Sequence, residues 1–361
     1  MKFDLIYEMA TDKPDDRRAV QTVYRQALEQ ILLAEELDYS TVWEVEHHFL
    51  REFSHSPAPE VFLAAVAQAT SKIRIGHGCV LLPHAFNHPI RVAERIATLD
   101  IISDGRVEFG TARSSEYELA GFEISLGETR AMWQEAISII PKMWHDGDFS
   151  YEGRFLSIPP RQVTPKPIQD PHPPMWMACT SPESWRIAGL NGLGVLGFSY
   201  VASVDELKNN LNAYREALKT AEPAGDFINS KVAIATQVYC TDDNEQALEE
   251  AYDACAWTVL NNFKLLAPKT SEGGWQSLAP EVAQMMVAIE AGARDMYEMM
   301  NERNAIIVGS PEKCIEKVQM FADLGADHII CQTQMHGMAH ERIMSSIDLF
   351  GRKVIPAFSD F

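Results

Sequence analysis

A single parallel (β/α)8 barrel is the fold that the sequence predicts, and three observations predict it. Apolar β-rich runs alternate with helical patterns about eight times along the chain. No stretch consists of strands alone, which argues against a sandwich or a separate β domain. The glycine fingerprints of an open, doubly wound sheet are missing: no G-x-G-x-x-G follows the first strand, and no G-x-x-x-x-G-K-[ST] occurs. Alternation without those fingerprints favours the closed, TIM-type barrel, in which active sites form at the C-terminal ends of the strands.

The elements follow in order. Lys2–Tyr7 alternates as a strand, and residues 15–37 keep Val23, Ala27, Ile31 and Ala34 on one helical face. Residues 40–45 are strand-like, 60–71 helical, and 73–82 a β-rich run that stops at Pro83. The helix over 90–103 ends at Asp104-Gly105, a C-terminal stop signal, and a strand over 106–111 follows. After a helix over Thr129–Trp144, the run Tyr151-Glu152-Gly153-Arg154-Phe155 predicts an inserted tight hairpin. Strands over 174–179, 195–198, 232–240 and 328–332 complete the set, each followed by a helical pattern. Residues 267–279, with Pro268, Gly273, Gly274 and Trp275, form a long insertion that predicts a mobile lid at the barrel mouth. No linker, repeat or low-complexity segment divides the chain, so all 361 residues are expected in one domain.

Composition narrows the function. Thirty-one basic against 51 acidic residues leave a net charge of −20, which opposes lasting contact with nucleic acid or anionic lipid. The N-terminus breaks its apolar run with acids at once, and no window reaches the ~18 apolar residues of a membrane span. The six cysteines show no C-x-x-C pair or zinc-finger spacing and read as free thiols, so a cytoplasmic protein is expected.

Three segments at strand ends could carry chemistry. Glu46-His47-His48-Phe49 follows the second strand. Strand alternation sends His47 and His48 to opposite sides, and Glu46, on the His48 side, could set that ring's tautomer. No H-E-x-x-H or other zinc spacing accompanies them. Arg113 follows the fourth strand among small residues, a setting suited to an anion. Ala178-Cys179-Thr180-Ser181-Pro182 joins a strand end to a helix start, either a phosphate cradle or only a helix cap.

Beyond these local readings, the chain resembles the bacterial luciferase-like flavin monooxygenases over nearly its whole length. The resemblance runs through Trp43-Glu44-Val45-Glu46-His47-His48-Phe49, Gly76-His77-Gly78-Cys79-Val80-Leu81-Leu82-Pro83, His88-Pro89-Ile90-Arg91-Val92-Ala93-Glu94, Asp104-Gly105-Arg106-Val107-Glu108-Phe109-Gly110 and Val308-Gly309-Ser310-Pro311-Glu312. It implies a barrel that binds reduced FMN from a separate flavin reductase and reacts it with dioxygen. The resulting peroxyflavin then oxygenates a small organic substrate. The same resemblance makes His47 the active-site histidine and Gly78-Cys79 the pair beneath the flavin ring, often joined by a cis bond. It assigns Arg113, Ala178, Thr180 and Ser181 to the phosphate, and Ser199 and Tyr200 to the vicinity of the flavin. It also implies a homodimer built on the early helices, in keeping with the many-sided apolar stretch Pro59–Ala69.

Departures from the family matter as much. Ala112 stands where the light-emitting enzymes carry a reactive cysteine, so light emission is not implied. Cys179 replaces a glutamate of those enzymes. Glu44 replaces an apolar residue and could meet a polar substrate, His48 or Arg113. Two other readings stay open: a deazaflavin-dependent hydride-transfer enzyme of the same fold, and a non-catalytic flavin-binding subunit. The chain shows no obvious basic cluster for a deazaflavin's acidic tail, and it keeps both His47 and Arg113, which favours catalysis with FMN.

Overall fold

The computed structural model describes residues 1–200, 203–266 and 293–359; the lid expected over 267–279 lies outside them. The strands are β1 (Lys2–Tyr7), β2 (Thr41–Glu44), β3 (Arg74–Leu81), β4 (Val107–Ala112), β5 (Phe149–Glu152), β6 (Ser157–Arg161), β7 (Met175–Cys179), β8 (Gly194–Phe198), β9 (Val232–Cys240), β10 (Ile307–Gly309) and β11 (His328–Gln332). The helices are α1 (Arg17–Glu36), α2 (Pro59–Ala69), α3 (Pro89–Ile102), α4 (Glu116–Gly121), α5 (Thr129–Trp144), α6 (Pro182–Leu190), α7 (Val204–Leu218), α8 (Asn244–Leu266), α9 (Ala293–Glu302), α10 (Pro311–Leu324) and α11 (His340–Lys353).

Eight parallel strands close on themselves in the order β1-β2-β3-β4-β7-β8-β9-β11, with β11 returning to β1 through Lys2↔His328. The expected closed barrel is therefore the observed one. The hairpin predicted over 151–155 is wider: β5 and β6 pair antiparallel, with Tyr151 opposite Ile158. Beyond α8 the structure adds elements that hydrophobic periodicity did not reveal. These are α9, the three-residue β10 and α10; β10 pairs with the far end of the long strand β9, Ile307 opposite Val238. Among the described residues no helix is long and apolar enough to cross a membrane. All six cysteines are free and buried.

Two apolar layers follow from strand alternation. Outward side chains pack against the helices in the main core, while Ile6, Trp43, Val45, Cys79, Trp176, Leu196, Ala233, Ala235 and Ile330 form a separate inner cluster. That interior is filled by two indoles, Trp43 and Trp176, edge to face with ring centres 5.5 Å apart. Each fits because a neighbouring strand offers glycine. A Cβ on Gly76 would lie 2.4 Å from the Trp43 ring, and one on Gly194 2.5 Å from the Trp176 ring. Polar bonds fix both rings: Trp43 Nε1 donates to Asp4 at 3.0 Å and Trp176 Nε1 to Glu108 at 2.6 Å. His328 and Arg74 complete this floor by holding Asp4 and Glu108 respectively.

The Asp104-Gly105-Arg106 turn also has a structural explanation. Asp104 and Gly105 both take positive φ, which ends α3 sharply. Arg106 then turns inward and donates to the carbonyls of Ala67, Thr70, Ile73 and Ser103, tying the end of α2 to the start of β3. The outer face of α2 and α3 leaves Val61, Ile101 and Ile102 exposed.

The indole–glycine fit makes a stability prediction. Gly76→Ala should destabilise the protein by about 1–3 kcal/mol, the usual cost of overpacking a fixed ring. Gly127→Ala, where the nearest neighbour is Ser125 Oγ at 4.0 Å, should stay within about 0.5 kcal/mol. Urea denaturation of the two variants checks the difference.

Candidate active site

The C-terminal end of β2 sets the centre of the site. Trp43 faces the barrel interior and Glu44 the helical shell, so Val45 and His47 face inward while Glu46 and His48 face out. His48 Nε2 lies 3.2 Å from Glu46 Oε1, and its ring stacks on Phe86. Glu46 is held in turn by the Leu81 N–H and by Asn87, so this pair braces β2 against the end of β3. The expected opposite facing of the two histidines is thus what the fold provides. Glu44 meets neither His48 nor Arg113. It is fully buried in the shell, accepting from Ser56 Oγ at 2.7 Å, and burial holds its carboxyl well above the usual range.

His47 sits between two carboxylates. Its Nδ1 is 3.0 Å from Glu118 Oε1, and its Nε2 is 3.7 Å from Glu8 Oε2. Its own N–H donates to the Ser56 carbonyl at 3.0 Å, fixing the backbone. Burial by itself would push this imidazole down. The Glu118 hydrogen bond and the charges of Glu8, Glu118 and Glu46 overcome it and raise the ring to about 9. Burial likewise opposes ionisation of Glu118, but His47, the His48 N–H and Ser115 pull that carboxyl down to about 2. Glu8 is pushed up to about 7, by burial first and Glu118 second, against the pull of His47. His47 is therefore an imidazolium near neutral pH, with Glu118 its fixed counter-charge.

Around the mouth, β3 and β4 lose register between His77 and Val80, where the Gly78–Cys79 peptide is cis. Gly110 is required opposite this break, since a Cβ there would lie 2.0 Å from the His77 carbonyl oxygen. Arg113, just past β4, is half-buried and makes no hydrogen bond or ion pair with a described residue. Burial and the neighbouring Arg130 charge both lower its pKa. Arg130, at the start of α5, gives Nη2 to Glu183 at 3.2 Å, while its buried Nη1 has no partner among the described residues. Thr180 is exposed at the α6 end; Ser181 caps that helix through Ser184, while Ala178 is half-buried. Ser199 spends its hydroxyl on carbonyls, 2.6 Å from Ala305 and 3.3 Å from Ala235. Tyr200 is buried in a second apolar cluster with Tyr239 and Met335, and the Glu8 charge adds to the burial that raises its phenol.

The fold thus brings Arg113 and the α6 end to one side, and His47 with Glu8 and Glu118 to another. Sequence reasoning missed Glu8, Glu118 and Arg130. Glu118 had a signal, because Ser115-x-x-Glu118 spells a capping box, and the box is formed. Glu8 had a weaker one as an acid ending the first strand. Arg130 had none; only tertiary packing reveals its unpaired nitrogen. The two guanidinium groups, short of acceptors and beside a helix start, suit a phosphate.

A barrel that keeps two under-paired guanidinium groups and a charged histidine at the C-terminal ends of its strands has its reactive groups where barrel enzymes carry their active sites. The chain belongs to the luciferase-like monooxygenase family, whose pattern matches residues 5–328. The oxygenase component of a flavin-dependent trigonelline monooxygenase from Acinetobacter baylyi is 27% identical, over 100% of this chain and 96% of that one. Among solved structures, the monooxygenase RslO1 from Streptomyces bottropensis superposes with a TM-score of 0.80 at 25% identity, covering 99% of this chain and 100% of its own. The fold alone is shared with the oxygenating constituent of 3,6-diketocamphane monooxygenase from Pseudomonas putida in complex with FMN (TM-score 0.73, 19% identity, 99% and 98% covered). It is shared equally with a coenzyme F420-dependent tetrahydromethanopterin reductase from Methanopyrus kandleri (TM-score 0.70, 21% identity, 99% of each chain).

The His47–Glu118 pair makes a pH prediction. A histidine raised above its ordinary value contributes stability that is full below about pH 6.5 and fades as the pH climbs through about 9. A depressed carboxyl contributes stability that is full above about 4.5 and fades as the pH falls through about 2. In Glu118→Gln, the His47 titration followed by NMR should move down toward the ordinary histidine range. The loss of stability between neutral pH and about 9 should flatten with it. An unchanged titration would show that Glu118 does not hold the charge.

Proposed function

We propose that the protein is the oxygenase component of a two-component system, taking reduced FMN from a separate flavin reductase and using dioxygen to oxygenate a small organic substrate. The observation that carries this reading is the pair of guanidinium groups, Arg113 and Arg130, that the protein leaves short of acceptors beside the start of α6. A terminal phosphate such as that of FMN would supply the missing acceptors. A deazaflavin continues past that point into a long acidic tail, and 31 basic residues against 51 acidic ones offer it little. The fit of His47 with Glu8 and Glu118 favours a catalytic chain over a silent flavin-binding subunit.

When bound, reduced FMN supplies the electrons and, with dioxygen, the oxygen atom that reaches the substrate. The chain's own residues do the rest. Arg113 and Arg130 hold the phosphate, with Thr180 and the Ser181-capped helix end beside them. The bulge at Gly78–Cys79 offers backbone and a small side chain as a bed for a flat ring. His47, charged and oriented by Glu118, presents Nε2 to the mouth, where it can hold or move a proton. We also propose a homodimer through the exposed apolar face of α2 and α3, which sedimentation should show as a species of about twice the 40.5 kDa chain mass.

Arg113→Ala and Arg130→Ala should each weaken FMN binding by about 2–3 kcal/mol while leaving riboflavin binding nearly unchanged. Equal losses for both flavins would remove the phosphate assignment, and tight binding of a deazaflavin instead of FMN would replace the reading. His47→Ala should bind FMN within a few-fold of wild type yet lose about 100-fold or more in oxygenated product, the reduced flavin being consumed with release of hydrogen peroxide. His48→Ala should lower stability more than it uncouples the reaction.

A further inference from the structure

One buried polar atom at the mouth has been given no hydrogen bond by anything described so far. Glu8 is 8% exposed, and its Oε2 has no hydrogen-bond partner among the described residues. It stands 3.7 Å from His47 Nε2, too far for a hydrogen bond between them. A single polar atom placed beside the gap could reach both at ordinary hydrogen-bond length. We propose that Glu8 and His47 together hold a hydroxyl group of the substrate, and that this substrate is a hydroxylated aromatic ring, a phenol. The proposal rests on the oxygenase reading above and deepens it.

The chemistry of the pair selects the group. His47 Nε2–H can only donate when the ring is charged, and a Glu8 carboxylate can only accept. A hydroxyl does both at one atom. An ammonium group donates but would lie against the imidazolium; a carboxylate accepts but would lie against Glu8. The walls select the ring. Phe53 stands edge-on to His47 with centres 5.9 Å apart, Trp257 lies parallel to Phe53 at 6.2 Å, and His336 stacks on Trp257 at 3.7 Å. These rings stack on one another in a row that begins at His47, aromatic surroundings that a flat, apolar partner could join.

The proton balance is simple. The phenol O–H proton passes to Glu8 Oε2, and the electron pair stays on the phenol oxygen, which accepts from His47 Nε2–H. The ring carbons ortho and para to that oxygen gain electron density, as attack on an electrophilic oxygen requires. Burial first and the Glu118 charge second, against the pull of His47, push the Glu8 carboxyl up to about 7, which is matched to this transfer near neutral pH; Glu44 and Tyr200 also face it.

The test uses the full chain, with and without oxidised FMN, and three probes of similar size: phenol, anisole and benzyltrimethylammonium. Binding is followed by calorimetry. Wild type should bind phenol about tenfold or more tighter than anisole, and Glu8→Gln should remove that preference while leaving anisole and FMN binding unchanged. With reduced FMN and dioxygen, phenol should give a dihydroxybenzene: one ring C–H becomes C–OH, and the second oxygen atom leaves as water with the two electrons that reduced FMN supplies. Glu8→Gln should lose about 100-fold of it and release hydrogen peroxide instead. Equal binding of phenol and anisole, or no effect of Glu8→Gln, overturns the proposal, as does tightest binding of the ammonium probe, which would make Glu8 a reader of cations. If FMN binding still depends on Arg113 when the probes fail, this proposal falls alone; if FMN does not bind, the oxygenase reading falls first.

Discussion

One carboxylate organises the mouth of the barrel. Glu118 accepts from His47 Nδ1, from the His48 N–H, and from the hydroxyls of Ser114 and Ser115. It thereby joins the segment after β2 to the segment after β4, two loops with no backbone pairing of their own at this level. Its position comes from the capping box of α4, so a short local motif places a charge that acts across the barrel. Held in this way, Glu118 is ionised and His47 is charged, and the direction in which His47 presents its second nitrogen follows. The bond has the strength of a charge-assisted contact in a partly buried setting, well above that of an exposed ion pair.

The anion side of the mouth works by the opposite logic. There the protein gathers positive charge and does not neutralise it: Arg113 has no acceptor among the described residues, and Arg130 satisfies only one nitrogen, on Glu183. Two neighbouring guanidinium groups repel, and the carboxylate whose charge acts on both, Glu183, engages a single nitrogen of Arg130. The histidine paired with carboxylates and the under-paired arginines divide the mouth into a side where charge is balanced and a side where it is not.

Strand alternation made much of this legible in advance. The barrel, the order of its eight strands and the opposite facing of His47 and His48 all follow from a period of two and from where the strands stop. Arg113 and the Thr180–Ser181 turn were legible as strand-end residues. What escaped did so for identifiable reasons. Strand β10 is three residues long, too short for any periodicity to register, and is recruited by the overhang of β9. Arg130 is an ordinary helix-surface arginine in sequence, distinguished only by what packs over it. Glu44 looked available for a substrate because alternation was not carried back three residues from His47; its outward parity sends it to Ser56. Ser199 sits at the expected strand end, but its hydroxyl goes to the Ala305 carbonyl, in a segment whose fold the sequence did not disclose.

The indoles of the barrel interior carry a consequence for how such a chain can change. Trp43 occupies the space that a side chain on Gly76 would need, and Trp176 does the same to Gly194. Neither member of a pair can be exchanged first without a penalty: enlarging the glycine overpacks the ring, and shrinking the ring leaves a cavity and takes one of the hydrogen bonds from Asp4 or Glu108 below it. Drift at these positions therefore has to proceed by paired replacement, and a lineage that has once adopted the indole–glycine couple is held in it. The loops above are free of this restraint, so specificity can diverge while the floor of the barrel stays the same.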